Sequence, residues 1–172
     1  MTATQVQPEV WLRGPVEGFP AELQPAVHAL LQAVEDVETA LTPLSIDELW
    51  ARPGGAASIG FHARHIAGAL DRLYTYARGL ALSETQVAAM KAEGVPGDPA
   101  TGAPALVNLV KTGVDAALGQ LRSTPVSELA EPRAVGKKQL PTTVLGLLFH
   151  GAEHATRHAG QIITTAKIVR QG

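Results

Sequence analysis

The sequence predicts an all-α protein, a four-helix bundle with long inter-helix connections and a short extra helix. Four segments repeat apolar residues at steps of three and four, which is the period of a helix with one buried face. Four such helices bury their apolar faces by packing together as a bundle. No strand-like alternation is long enough to predict a strand, and no internal repeat is present.

Composition limits the class of protein before any motif is considered. The 172 residues are 45% hydrophobic, which suits one domain with a full core. A net charge of −2 with both signs interspersed gives no electrostatic reason to expect a nucleic acid partner. No apolar run approaches a membrane span and no signal peptide is recognisable, so we expect no membrane partner and a cytoplasmic location.

Two segments differ in their composition. Residues 1–20 are punctuated by Pro and Gly and predict an N-terminal arm, with Trp11 and Phe19 as its anchors. Residues 21–172 carry the helical periodicity and predict a single bundle domain.

The first long helix is predicted from Ala21 to Leu41, and Pro43 ends it. Its core-facing stripe has an uninterrupted 4-3-4-3-4 spacing through Leu23, Val27, Leu30, Val34, Val37 and Leu41. His28 falls on the opposite, polar side, so we interpret it as a surface histidine.

The second long helix follows a short helical turn. Ser45-Ile-Asp-Glu48 has the form of a capping box for that turn. Ser58 is placed to cap the long helix, which is predicted to run to about Arg78. His62 lies near the apolar face of this helix, and His65 lies at the edge of the same face.

The next segment predicts the short extra helix and the third long one. Ser83-Glu-Thr-Gln86 is a second capping box, for a helix to about Glu93. Residues 94–104 form a linker rich in Gly and Pro, and the third long helix is predicted from Pro104 to Arg122. We interpret residues 123–140 as an irregular connection whose basic tip, Gly136-Lys137-Lys138, is a solvated loop.

The last long helix, predicted from Pro141 to Val169, carries His150, His154 and His158 at steps of four. Residues four apart share one helix face, and two imidazoles at that spacing can converge on one metal ion. On a helical wheel of roughly 100° per residue, His154 and His158 lie on a flank while His150 turns towards the polar side. The predicted apolar face consists of Leu145, Leu148, Phe149, Ala152, Ala159, Ile162 and Ala166.

A metal site is predicted where the flanks of the second and fourth long helices meet. Cysteine is absent from the chain, so the ligands must be His, Asp or Glu. The simplest ligand set is His65 from one helix with His154 and His158 from the other. Three imidazole ligands leave a coordination position open, as in catalytic sites. Imidazole accepts Zn²⁺, Ni²⁺ and Fe²⁺, so ligand type alone does not select the metal. The alternative is a half-buried helix margin whose histidines bind nothing.

Other polar residues are candidate helpers. His62 and His150 are candidates to support a ligand from behind or to replace one, and Gln161 is placed to donate to a bound water or to fix an imidazole. Glu153 adjoins His154 in sequence, but the helix turns it away by roughly 100°, which argues against a role as general base.

Two stretches carry a resemblance to a known family. Ser58-Ile-Gly-Phe-His-Ala-Arg-His65-Ile-Ala-Gly and, far downstream, Glu153-His154-Ala-Thr-Arg-His158-Ala-Gly-Gln161 resemble the DinB family of DinB/YfiT-like metalloenzymes. The similarity extends over nearly the whole chain, including Leu140-Pro-Thr-Thr at the start of the last helix. It implies a four-helix bundle with an unusual long connection and a divalent ion held by His65, His154 and His158. Family members often form homodimers.

The resemblance also implies a class of activity. Characterised relatives include thiol-dependent isomerases and transferases that use mycothiol, bacillithiol or glutathione. We therefore expect a metal-dependent S-transferase, or a related hydrolase or isomerase, that acts on a small molecule in stress or detoxification. In such an enzyme the metal lowers the pKa of a thiol or water. The alternatives are a non-enzymatic metal- or ligand-binding stress protein and an interaction module with structural histidines.

Overall fold

The computed structural model describes residues 7–96 and 101–171, and these residues are mostly helical. Residues 1–6 of the predicted arm and 97–100 of the predicted linker lie outside the described residues. The helices are α1 (Gln24–Leu41), α2 (Ile46–Trp50), α3 (Ile59–Ala77), α4 (Glu84–Ala92), α5 (Ala103–Ser123) and α6 (Val144–Val169). Within the described ranges, no helix has both the length and the hydropathy needed to cross a bilayer.

The four long helices form the predicted bundle. Helices α5 and α6 each pack against both α1 and α3, so the four apolar stripes enclose one core. The largest fully buried side chains of these helices include Val27, Leu30, Ile59, Ile66, Leu70, Leu106, Leu121, Leu148 and Ile162. The all-α prediction is confirmed, and both α2 and α4 are short helices outside the four-helix core.

Serine and threonine caps set the starts of several helices. Ser45 and Ser83 form the predicted capping boxes of α2 and α4, each with the side chain three residues later. Ser58 Oγ accepts a hydrogen bond of 3.1 Å from the backbone of Phe61 and thereby fixes where α3 begins. The position of the first turn of α3 matters because this turn contains His62 and leads to His65.

The connection between α5 and α6 corrects one prediction. It contains a two-stranded antiparallel hairpin, β1 (Pro132–Val135) and β2 (Leu140–Thr143), where an irregular loop and no strand were expected from the sequence. Strands of four residues are too short to show alternation in sequence. Gly136 and Gln139 both have positive φ, which closes the tight turn between the strands.

The hairpin also shifts the start of α6. Pro141 was expected to begin this helix, but it lies in β2 opposite Ala134. The helix begins at Val144, because Thr143 Oγ1 accepts a 3.0 Å hydrogen bond from the backbone of Gly146 and caps it. Proline is tolerated both in the first turn of a helix and in an edge strand, so Pro141 alone does not distinguish the two.

The described part of the arm packs along α1, but not through both predicted anchors. Trp11 is 61% exposed, whereas the neighbouring Val10 is buried and its backbone nitrogen donates to Gln32 Oε1. Phe19 does pack against the core. His28 is half-buried rather than a free surface residue, and its Nε2 lies 3.1 Å from the carbonyl oxygen of Gly14 in the arm.

The buried face of α6 is rotated relative to the helical wheel. Leu145 and Phe149 were expected on the apolar face but are 40% and 56% exposed. The buried stripe instead includes Gly151, Ala155 and His158, because α6 is packed between α1 and α3. This rotation brings His158 into the interior, on the side that faces α3.

Candidate metal centre

The three predicted ligands meet between α3 and α6. One ring nitrogen of each of His65, His154 and His158 lies within 4.8 Å of those of the other two. His65 Nε2 and His154 Nε2 are 2.9 Å apart. The two helices therefore bring together residues that are separated by 89 positions in the chain.

Small residues allow α3 and α6 to approach closely enough for this contact. A Cβ atom on Gly151 would lie 2.6 Å from Cε1 of Tyr74, a distance that real side chains do not adopt. Tyr74 is buried and donates its hydroxyl hydrogen to the carbonyl oxygen of Leu148, which also joins the two helices. Gly151 lies one residue after His150 and three before His154. Its contact with Tyr74 therefore fixes how closely this part of α6 approaches α3.

Glu93 is a site residue that sequence reasoning missed. It follows α4 directly and is 6% exposed. Its Oε2 accepts from His65 Nδ1 at 2.7 Å, and its Oε1 accepts from Arg72 Nη1 at 2.6 Å. Arg72 is buried two helical turns after His65, and a buried guanidinium requires a carboxylate partner. Nothing in the sequence indicated which carboxylate that would be.

The contact with Glu93 selects one tautomer of His65. Burial alone would raise the pKa of Glu93, but its hydrogen bonds with His65 and Arg72 outweigh burial and lower the pKa below its usual value. An ionised carboxylate only accepts hydrogen bonds, so neutral His65 carries its proton on Nδ1. Its Nε2 lone pair is then left facing His154.

His62 makes the equivalent contact with His158. The Nδ1 atoms of these two buried rings are 2.9 Å apart, so one hydrogen bond joins them. The Nδ1 of His158 is thereby occupied, and its Nε2 is the nitrogen that remains for a ligand role. His62 thus lies behind a predicted ligand, in the supporting position that the sequence suggested for it.

The buried histidines are neutral near pH 7. Burial, followed by the nearby His154, His65 and His62, lowers the pKa of His158 to about 3. Burial is also the largest cause that lowers the pKa values of His62 and His154. A neutral imidazole is the form that binds a metal ion.

These residues fit a divalent metal ion. The 2.9 Å between Nε2 of His65 and Nε2 of His154 is within about half an ångström of the roughly 3.4 Å that separates two nitrogens bound to one tetrahedral ion, each about 2.1 Å from it. Within the described part of the chain, Nδ1 of His154 is buried without a hydrogen-bond partner. The ring of His154 is thus engaged only through the nitrogen that faces His65. An all-imidazole donor set suits Zn²⁺, Ni²⁺ or Fe²⁺.

The remaining candidates lie at the rim. His150 is exposed, and its Nδ1 is 3.3 Å from Glu153 Oε2. Glu153 also pairs with Arg157, and it lies on the side of α6 that is turned away from the cluster, as the helical wheel indicated. Gln161 is exposed and has no hydrogen bond to an imidazole among the described contacts. His150, Glu153 and Gln161 therefore contribute no atom to the cluster of ring nitrogens.

Comparison with known proteins bears on the family and the fold. The sequence profile of the DinB superfamily matches residues 29–162, which include all three histidines. The chain belongs to the DinB superfamily. A crystal structure of a conserved protein from Enterococcus faecalis has a TM-score of 0.67 with 20% identity, over 87% of this chain and 98% of that chain. This similarity concerns the fold alone. No curated protein matches the chain.

Proposed function

We propose that this DinB superfamily protein is a divalent-metal-dependent enzyme, a thiol-dependent S-transferase or a related hydrolase or isomerase. The observation that carries the proposal is the convergence of three imidazoles from two helices, with His65 Nε2 and His154 Nε2 2.9 Å apart. A small-molecule substrate, a low-molecular-weight thiol, a homodimeric assembly and a role in stress or detoxification are part of this proposal.

Each histidine has a defined role in the proposal. His65, His154 and His158 hold the ion, and three protein ligands leave a position for substrate or solvent. A divalent ion supplies Lewis-acid activation there, which lowers the pKa of a thiol or water. Zn²⁺ is our first choice, with Ni²⁺ and Fe²⁺ as alternatives.

Access to this position is through the half-buried side of the cluster. The side chain of His65 is 21% exposed, and His154 is also half-buried. The ring of Phe61 stacks on His65 with centroids 5.2 Å apart and planes inclined by 15°. Phe61 therefore provides an apolar wall beside His65, against which the carbon skeleton of a small substrate can pack.

Metal analysis of protein purified without a His-tag tests the site. We expect one equivalent of divalent metal per chain, and we expect its loss when any of the three ligands is replaced by Ala. His150→Ala is the matched control, because His150 lies on the same helix but is exposed. Failure of the wild-type protein to bind Zn²⁺, Ni²⁺ or Fe²⁺ at micromolar concentration would contradict the proposal.

Turnover distinguishes an enzyme from a binding protein. The metal-loaded protein is incubated with mycothiol, bacillithiol or glutathione and a panel of electrophiles, and both reactants are quantified. We expect consumption that depends on His65, His154 and His158. Metal binding without consumption of any pair would favour the non-enzymatic alternative.

A further inference from the structure

A residue outside the four-helix core makes a buried polar contact with one of the three predicted ligands. Glu93 follows α4, yet its carboxylate is buried between His65 and Arg72 of α3. Arg72 is itself 8% exposed, so both charges have been removed from water. An ion pair this deeply buried is costly to build, and breaking it by removing one partner is more costly still.

We propose that Glu93 is a positioning residue for the metal centre, and that docking of α4 on the bundle and metal binding stabilise each other. This inference rests on the proposed metal site. In it, Glu93 holds the Nδ1–H tautomer of His65, and the segment 84–95 delivers Glu93 to that position.

The geometry around Glu93 leaves one arrangement of protons. Arg72 is a donor only, so it takes one carboxylate oxygen, and the other oxygen is left for His65. His65 must then donate from Nδ1, which keeps Nε2 free for a metal ion. Partners of this kind orient metal-binding histidines, and their loss typically weakens metal affinity by roughly 10- to 100-fold.

Space for the carboxylate is provided by Gly68 on α3. A Cβ atom at this position would lie 2.3 Å from Glu93 Oε1 and 2.7 Å from Arg72 Nη1. An alanine here would therefore displace the ion pair while leaving all three predicted ligands unsubstituted. Gly68 offers a way to disturb Glu93 without changing its chemistry.

The segment that carries Glu93 is attached to α3 by polar contacts. Gln86 Nε2 donates to Asp71 Oδ2 at 2.8 Å and to Thr75 Oγ1 at 2.9 Å. Arg64 Nη1 donates to the carbonyl oxygen of Val95 at 2.7 Å. None of the side chains of α4 itself is buried, so its docking depends on these contacts and on Glu93. Because coupling between two equilibria is reciprocal, a metal ion on His65 stabilises the docked segment.

Glu93→Gln tests the tautomer directly. Arg72 still requires an oxygen, so the amide oxygen of the substituted side chain turns towards it and the NH₂ group faces His65 Nδ1. His65 must then accept at Nδ1 and carry its proton on Nε2, which is the wrong tautomer for a ligand. We expect Zn²⁺ affinity, measured by competition with a chromophoric chelator, to fall roughly 10- to 100-fold. Glu38→Gln is the matched control and should leave the affinity unchanged, because Glu38 is exposed and pairs with Lys111 away from the histidines.

Imidazole nitrogen shifts provide a readout that needs no metal. Long-range ¹H–¹⁵N spectra of the metal-free protein at a pH of about 8 should show His65 with its proton on Nδ1 in the wild type and on Nε2 in Glu93→Gln. Gly68→Ala should also lose the wild-type pattern. Hydrogen exchange in residues 84–93 of the wild type should slow when Zn²⁺ is added.

The outcomes separate this inference from the proposed function. If the wild type binds no metal, the proposed function fails. The tautomer of His65 in the metal-free protein still shows whether Glu93 orients this ring. If the wild type binds Zn²⁺ but Glu93→Gln binds it equally well, the positioning role is wrong while the metal site stands. An Nε2–H tautomer in the wild type also overturns the positioning role. Unchanged exchange in residues 84–93 on metal addition overturns the linkage with docking.

Discussion

Nδ1 of His62 lies 2.9 Å from Nδ1 of His158, so a buried histidine of α3 holds the ring of a predicted ligand on α6. Both side chains are almost fully removed from solvent. The contact fixes the orientation of His158 in the same way that Glu93 fixes His65. Two of the three predicted ligands are therefore oriented by residues of other elements.

His62→Phe should weaken metal binding although His62 is not a predicted ligand. Phenylalanine keeps a ring in the buried site but cannot hydrogen-bond His158, which is then free to rotate. We expect Zn²⁺ affinity to fall about 10-fold or more, measured by chelator competition. His150→Phe is the matched control and should retain wild-type affinity, since His150 is exposed. Equal affinity of His62→Phe and wild type would show that His158 needs no support.

The stability of the metal-free protein should depend on pH through the buried histidines. The pKa of His158 is lowered to about 3 in the folded protein, while an imidazole in the unfolded chain titrates near pH 6.5. Between these values the unfolded state binds more protons, so the free energy of unfolding falls as the pH falls from about 6.5 towards about 3. His62 and His154, whose pKa values are also lowered, act in the same direction.

Urea unfolding of EDTA-treated protein measures this effect. The midpoint should decrease between a pH of about 7.5 and about 5, and the His158→Phe variant should show a shallower decrease. A wild-type midpoint that stays constant over this range would mean that the histidines are protonated in the folded state without cost.

The sequence alone predicted the four long helices and the three histidines that converge, because both depend on local patterns. Apolar residues at a helical period indicate where a helix runs, so the bounds of α1, α3, α5 and α6 were predicted to within a few residues. Spacing of four residues put His154 and His158 on one stripe. A capping box involves residues only three apart, and the two predicted boxes, which begin at Ser45 and Ser83, are confirmed.

Features that depend on long-range packing were not predictable from one sequence. Glu93 reaches His65 across 28 residues and through a linker whose course no local pattern specifies. The exposure of Phe149 depends on how α6 is rotated between its two neighbours, which a helical wheel cannot give. The hairpin of residues 132–143 is stabilised by its pairing and by Arg133, whose Nε donates to the carbonyl oxygen of Ala77.

His28→Ala should affect the arm and leave the metal centre intact. His28 Nε2 lies 3.1 Å from the carbonyl oxygen of Gly14, and this contact is half-buried. Its loss should lower the free energy of unfolding by about 1 kcal/mol. Urea unfolding measures that change, and limited proteolysis should show faster cleavage near Gly14. Metal content should equal that of the wild type, and a reduced content would indicate that the arm supports the site.

Two glycines of α6 make a matched pair. Gly151 lies against α3, where a Cβ atom would meet Cε1 of Tyr74 at 2.6 Å and Cδ2 of Leu70 at 3.3 Å. Gly160 is exposed, and a Cβ atom there would have no neighbour within 4 Å. Both glycines carry the same intrinsic cost in a helix interior, roughly 1 kcal/mol against alanine. Only Gly151 has a packing reason to be retained.

Replacing each by alanine should therefore change stability in opposite directions. Gly160→Ala should raise the free energy of unfolding by up to about 1 kcal/mol, because it gains helix propensity without a clash. Gly151→Ala gains the same propensity, but the methyl group must displace the ring of Tyr74 in a packed core, which typically costs about 1–3 kcal/mol. Moving α6 outward would also separate His154 from His65, so Gly151→Ala should lower Zn²⁺ affinity, whereas Gly160→Ala should not. Urea unfolding and chelator competition on both variants check this, and a stabilised Gly151→Ala with full Zn²⁺ affinity would show that α3 and α6 do not need their close approach.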